Sequence, residues 1–283
     1  MADRVGLGWR GELAAAILER LDAIDVLEVI AEDWMHAGRV GQRGLAALAR
    51  ERPVVLHGVT LGLASRHAVD ATRLDALARL CGAVRPEAWS EHLAFVRAGG
   101  YEIGHLAAPP RSAATVEGAL ANLRRAAAVV GQVPALENIA TLVDPPASTM
   151  GEGEWAGRIA GGAGAAMLLD LHNLHANAVN FGHDPVAMLH AFPLQRVRMV
   201  HLSGGRWLRA PDGRGRLLDD HLHDVPDPVF DLLERLAACA PQDLTVIIER
   251  DGQYPAFDRL LDQVARARAA LARGRANRLS RAA

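Results

Sequence analysis

The chain of 283 residues contains no lysine, and its positive charge is carried by arginine alone. That absence excludes mechanisms built on a Schiff-base lysine, pyridoxal phosphate chemistry and imine-forming aldolases among them. It also excludes a phosphate-binding P-loop with its Gly-Lys-Ser/Thr ending. Cysteine is almost as scarce: Cys81 and Cys239 are too few for a disulfide framework or a thiolate metal site, and they fit a reducing cytoplasm. A formal net charge of -2 gives no reason to expect nucleic acid or a membrane surface as partner. The opening MADRVGLGWRGE has no apolar signal-peptide core, and no apolar run approaches the length of a membrane span. The glycines of GEGEWAG and GGAGAA miss the GxGxxG spacing and precede a strand, so no dinucleotide fingerprint is present, and neither is a GxSxG elbow. From these absences the expected location is the cytoplasm.

What the sequence does have is regular alternation. Short apolar, β-like runs alternate with longer alanine-rich stretches of helical spacing. The runs are Val5–Trp9, Val26–Ala31, Pro53–Val59, Ala88–Phe95, Pro134–Ile139, Ala166–Leu174, Arg196–Gly204 and Leu244–Asp251. Helical stretches include Glu12–Asp22, Ala71–Val84, Thr115–Val130, Pro228–Ala240 and Tyr254–Ala272. Eight such units predict a single α/β domain, a (β/α)8 TIM barrel of xylose-isomerase-like architecture over residues 1–265, with an open doubly wound sheet as the alternative. Residues 266–283 hold six arginines and no acid and read as a basic helix end or tail.

In such a barrel the chemistry sits at the C-terminal ends of the strands, so the residues that end each strand are the candidates. Strand three ends in His57, and strand four carries Glu91 and His92. Strand five ends in Glu137 and Asn138, strand six in Asp170, His172 and Asn173, strand seven in His201, and strand eight in Glu249, Arg250 and Asp251. Asp170 and His172, two apart in AMLLDLHNLHANAVN, would share one face of an extended chain. Carboxylates converging on one rim repel unless a proton or cation intervenes. Imidazole mixed with carboxylate is the ligand set of zinc, manganese or iron. The loop Gly204–Asp227 adds Asp219, His221 and His223, spaced so that an extended segment points all three one way. This supply exceeds what one ion needs and predicts two or three metals. Glu28 and Glu32 straddle the end of strand two, and Glu32 reads as facing substrate or supporting a ligand.

The segments LHGV, SEHL, LEN, LLLDLHN with the later NFGHDP, VHLSG, LDDHLHDVPDPVF and VIIERD, in this order, resemble a known family. It is the multinuclear non-haem iron TIM-barrel family that includes the methanobactin biosynthesis oxidase and the thiaglutamate-pathway enzyme, and the resemblance spans roughly residues 5–265. It implies two or three iron ions in mixed Fe2+/Fe3+ states and dioxygen as co-substrate. It also implies a cysteine of a ribosomally made precursor peptide as the group modified, and a small partner protein that presents the peptide. Carried over residue by residue, the metal ligands are His57, His92, Glu137, Asp170, Asn173, His201, Asp219, His221 and Glu249. Candidates for a further catalytic role are His223, His172 and Glu32. The sequence departs from the family pattern at His172 in the DVNN-type segment, at His175 where tyrosine is common, and at Phe181, Gly205 and Leu222. A redox-neutral divalent-metal enzyme of xylose-isomerase-like type, a sugar isomerase or phosphoester hydrolase, is the competing reading; the missing lysine weighs against the isomerase form.

Overall fold

In the computed structural model, which describes residues 2–98, 101–209, 213 and 215–282, eight parallel strands close into a barrel. They are β1 (Arg4–Gly8), β2 (Leu27–Ile30), β3 (Val54–Gly58), β4 (Ala88–His92), β7 (Ala135–Glu137), β8 (Met167–Asp170), β9 (Val197–Leu202) and β12 (Thr245–Ile248). Around the closed sheet the order is β1-β12-β9-β8-β7-β4-β3-β2. Two antiparallel hairpins interrupt the repeat: β5 (Phe95–Ala98) with β6 (Tyr101–Ala107), and β10 (Gly205–Arg209) with β11 (Gly215–Asp219). A helix follows each barrel strand: Ala14–Glu19, Arg39–Glu51, Ala71–Val84, Ala113–Val130, Glu152–Ala163, Leu171–Phe181, Asp227–Cys239 and Phe257–Ala282. The alternation read from the sequence is therefore a (β/α)8 barrel, and closure rules out the open sheet. β3 and β8 are buried along their whole length, as parallel strands covered on both faces must be, which is why they read as unbroken apolar runs.

One predicted boundary is wrong in an instructive way. The apolar run Ala166–Leu174 is not one strand, because β8 stops at Asp170, whose carboxylate accepts a hydrogen bond from the backbone N–H of Asn173 at 2.6 Å. An aspartate in that place satisfies an otherwise orphaned donor of the next helix and is worth about 1 kcal/mol to it. Leu171, Leu174 and Ala178 then recur at helical spacing and are fully buried. Asp170 and His172 consequently do not share the face of an extended segment.

The chain forms two compact units, residues 1–26, 140–144 and 168–283, and residues 27–139 with 145–167. In the first, residues 266–282 continue the helix that begins at Phe257. Its arginines face acids of the same unit: Arg268 with Asp25 at 3.0 Å, Arg273 with Glu234 at 2.6 Å and Arg275 with Asp3 at 2.7 Å. The β10–β11 hairpin is held by buried Asn180, whose Oδ1 accepts from Leu217 N (2.8 Å) and whose Nδ2 donates to Leu217 O (2.9 Å). Asn180→Ala leaves both backbone groups unmatched, and each buried unmatched group costs about 1–3 kcal/mol. A destabilisation of about 2–3 kcal/mol in denaturant titration is the expected result; a change near zero would mean the hairpin is held elsewhere.

In the second unit the loop after β3 is fixed from three sides. Asn122 accepts from Val69 N and donates to the carbonyls of Leu63, Ser65 and His67. Arg97 donates to the carbonyls of Thr60 and Leu61. Glu91, fully buried, accepts from Leu61 N and His92 N. No helix among the described residues is long and apolar enough to cross a membrane.

Candidate metal-binding site

Strand register builds the first group of candidate donors. β3 and β4 align His57 with Ser90, and β4 and β7 align His92 with Glu137. Paired residues in a parallel sheet project to the same face, and alternate residues along one strand share that face. Ser90 and His92, two apart on β4, therefore carry His57, Ser90, His92 and Glu137 onto one side. All four are buried. His57 Nδ1 lies 2.8 Å from Ser90 Oγ, which turns Nε2 toward Glu137 Oε2 at 3.4 Å. His92 Nε2 stands 3.4 Å from the same oxygen, and the two imidazole rings meet edge to face with centroids 4.7 Å apart. Glu28, fully buried on β2, offers a carboxylate oxygen within 4.8 Å of His57.

The second group belongs to the first unit. β9 and β12 align His201 with Ile247, so Glu249, two residues on, falls on the face of His201. His201 Nδ1 and Glu249 Oε2 are 3.0 Å apart, and Asp170, His201 and Glu249 offer ligand atoms within 4.8 Å of one another. His221 lies beside this group, its Nδ1 3.8 Å from Glu249 Oε2, while its other ring nitrogen, Nε2, is 3.0 Å from Asp219 Oδ2. Its backbone is left-handed (φ 53°), a conformation that costs a non-glycine residue about 1–3 kcal/mol and persists only when its surroundings fix it. Here Gly204 O accepts from His221 N at 3.0 Å, and His221 O accepts from Asp251 N at 2.9 Å.

That turn separates the three residues that a straight segment would align. Asp219 and His221 meet, but His223 Nδ1 instead lies 2.9 Å from Asp220 Oδ1 and is partly exposed. Asn173 is buried in the first turn of Leu171–Phe181. Glu32 sits at the start of a short helix, Glu32–Met35, where its Oε1 accepts from Val59 N, Thr60 N and Thr60 Oγ1 at 2.8–2.9 Å. Its Oε2 is buried without a hydrogen-bond partner among the described residues. Sequence reasoning did not single out Ser90, Ser203 or Asn180. Ser90 was open to detection, since it stands one strand repeat before His92.

The charges are unequal in the second group. Burial opposes a proton on His221, but the carboxylates of Glu249 and Asp219 outweigh it and hold its pKa well above the ordinary imidazole value. Burial likewise opposes the charge on Asp219, and His221 and His172 overcome it, keeping the carboxyl well below its usual range. Asp251 is held down in the same way, burial being outweighed by the hydrogen bond from His221 and by Arg10.

Residues 4–272 match the family described as RiPP precursor modification enzyme MbnB/TglH/ChrH. The chain belongs to this family. Among relatives, a UPF0276 protein of Streptomyces avermitilis is 38% identical over 257 residues. That match covers 88% of this chain but only 51% of the Streptomyces protein, so the chain spans about half the length of that relative. A UPF0276 protein of Bordetella parapertussis is 34% identical over 272 residues, covering 96% of this chain and 93% of its own. Among solved structures, L-ribulose 3-epimerase superposes with a TM-score of 0.60 at 14% identity, covering 100% of this chain and 97% of that one. D-psicose 3-epimerase from Clostridium cellulolyticum H10 does so with a TM-score of 0.59 at 12% identity, covering 97% and 99%. At such identities the likeness shows a xylose-isomerase-like barrel and nothing of substrate.

The donors fit a metal. Two donors held at about 2.1 Å from one ion lie roughly 3–4.2 Å apart. The 3.4 Å separations at Glu137 and the 3.0 Å separation of His201 and Glu249 fall in that interval. The set is imidazole and carboxylate with no thiolate, as zinc, manganese and iron accept. Ser90 on His57 Nδ1 is the kind of partner that orients a ligating imidazole. Two departures from the family pattern meet in space: a Cβ on Gly205 would lie 2.7 Å from His172 Cε1, so the ring fills the room a side chain at 205 would need. Leu222 packs toward Gly252, where a Cβ would come within 2.9 Å of its Cδ2. Phe181 lies beside His183, ring centroids 6.4 Å apart. His175 is half-buried, and burial together with His172 pushes its pKa down.

Proposed function

We propose that the chain is a multinuclear iron-dependent oxidase that uses dioxygen to modify a cysteine of a ribosomally synthesised precursor peptide. Its ions, two or three in mixed Fe2+/Fe3+ states, are held by His57, His92, Glu137, Asp170, Asn173, His201, Asp219, His221 and Glu249. The observation that carries this reading is a pair of buried imidazole–carboxylate groups at C-terminal strand ends, in a chain that the family matches over residues 4–272. Active sites of such barrels occupy that end.

When bound, iron supplies positions for thiolate and dioxygen and takes up the redox change. The protein's contribution is order and exclusion of water. Ser90 holds the His57 ring with Nε2 toward Glu137. The left-handed turn at His221 presents its ring to both Asp219 and Glu249. Glu32 grips the backbone of Val59 and Thr60 just beyond His57, which keeps that strand end in place. The peptide is presented by a small partner protein, without nucleic acid or a membrane, in the cytoplasm.

The test is co-expression of the chain with the cysteine-containing peptide encoded nearest its own gene, under aerobic iron-replete conditions, followed by peptide mass spectrometry. A mass change that disappears without oxygen and in a Glu137→Gln variant is expected. An unmodified peptide, together with protein that holds zinc or manganese in place of iron, would favour the redox-neutral reading.

A further inference from the structure

The two oxygens of Asp219 face different partners. Oδ1 lies 2.8 Å from His172 Nδ1 and accepts from Ser203 Oγ at 3.2 Å, while Oδ2 lies 3.0 Å from His221 Nε2. His172 is completely buried, and its Nε2 has no hydrogen-bond partner among the described residues, so Asp219 is the ring's polar anchor. We infer that His172 is a positioning residue whose Nδ1–H fixes the Asp219 carboxylate so that Oδ2 faces the ion it shares with His221. The inference rests on the reading above, in which Asp219 and His221 bind metal.

Three features of the fold support it. His172 lies in the first turn of Leu171–Phe181, the helix that Asp170 caps, so one helix end places both the ligand Asp170 and the group that orients Asp219. Gly205 stands opposite Asp219 in the hairpin register, and a Cβ there would approach His172 Cε1 to 2.7 Å and Nε2 to 3.0 Å. The ring is thus packed against the strand that pairs with the one bearing Asp219. Finally, a charge-assisted hydrogen bond in a buried setting is among the stronger ones, and a partner of this kind on a metal ligand changes affinity by about 10- to 100-fold when removed.

The decisive comparison is His172→Leu against His172→Asn, since the asparagine amide nitrogen sits where Nδ1 does and leucine keeps the volume without a donor. Metal per chain is measured by elemental analysis after equilibrium dialysis against a graded chelator, with circular dichroism to verify folding. His172→Leu is expected to keep the ion of the His57, His92 and Glu137 group and to hold another about 10- to 100-fold more weakly. His172→Asn is expected to retain the wild-type profile. Should leucine prevent folding, His172→Met, which also fills the volume without a donor, takes its place. Wild-type affinity in the donor-less variant, or an equal loss in His172→Asn, overturns the role of His172 alone. Wild-type protein that takes up no ion overturns the metal reading and this inference with it.

Discussion

Replacing His57 and His92 together by alanine removes at least one metal ion per chain and abolishes turnover. Both imidazoles aim Nε2 at the same Glu137 oxygen from 3.4 Å, and both are buried, so no water-exposed substitute donor can take their place. Losing an outer partner of a ligand costs about 10- to 100-fold in affinity, and losing two direct donors must exceed the upper end of that range. The same variant tests whether the group is structural or ionic. Two imidazoles and a carboxylate packed without a cation are held by hydrogen bonds alone, and their removal would then change stability without changing metal content. Elemental analysis and calorimetric melting of the folded variant distinguish these outcomes, and unchanged metal content would remove His57 and His92 from the ligand set.

Metal affinity rises steeply with pH above the ordinary imidazole range. His221, flanked by Glu249 and Asp219, holds a proton more firmly than an ordinary imidazole in the metal-free chain, whereas a ligating imidazole must be neutral. The ion therefore competes with that proton, and each displaced proton makes apparent affinity climb about tenfold per pH unit until the raised pKa is passed. Stability of the metal-free chain runs the other way. A group whose folded pKa is raised contributes stability that is complete below the unfolded value, near 6.5 for histidine, and is lost as pH rises through the folded value. Titration calorimetry of metal binding in buffers of different ionisation enthalpy measures the protons released. A proton release per chain that is larger in the wild type than in His221→Asn, by up to about one proton, is the expected result. An affinity independent of pH would place His221 outside the site.

The barrel and the polar ends of its strands are legible in the sequence for a physical reason. A parallel barrel buries its strands on both faces, so each strand is an apolar run, and polar residues survive only where a run ends. His57, Glu137, Asp170, His201 and Glu249 were conspicuous because they stand in apolar company at those ends, and all are buried. Periodicity failed where a strand passed directly into a buried helix, since Leu171 to Leu174 is apolar under either conformation; the capping hydrogen bond of Asp170 decides the matter. It failed again at His221, because alternate spacing was read as an extended segment and nothing in DDHLH announces a left-handed residue. A serine in a strand is ordinary, and only register reveals that Ser90 touches His57; Ser203, just past the end of β9, meets Asp219 through a contact that no local pattern encodes. The contact between Gly205 and His172 joins residues 33 apart, which no local pattern encodes.

The central claim is that these two groups hold iron. Elemental analysis of protein purified without oxygen or chelator, paired with Mössbauer spectra of an iron-57-enriched sample, tests it most directly. The account predicts two or more irons per chain, magnetically coupled and partly ferrous. Protein that binds no metal, even after anaerobic reconstitution with iron, zinc and manganese in turn, would contradict it.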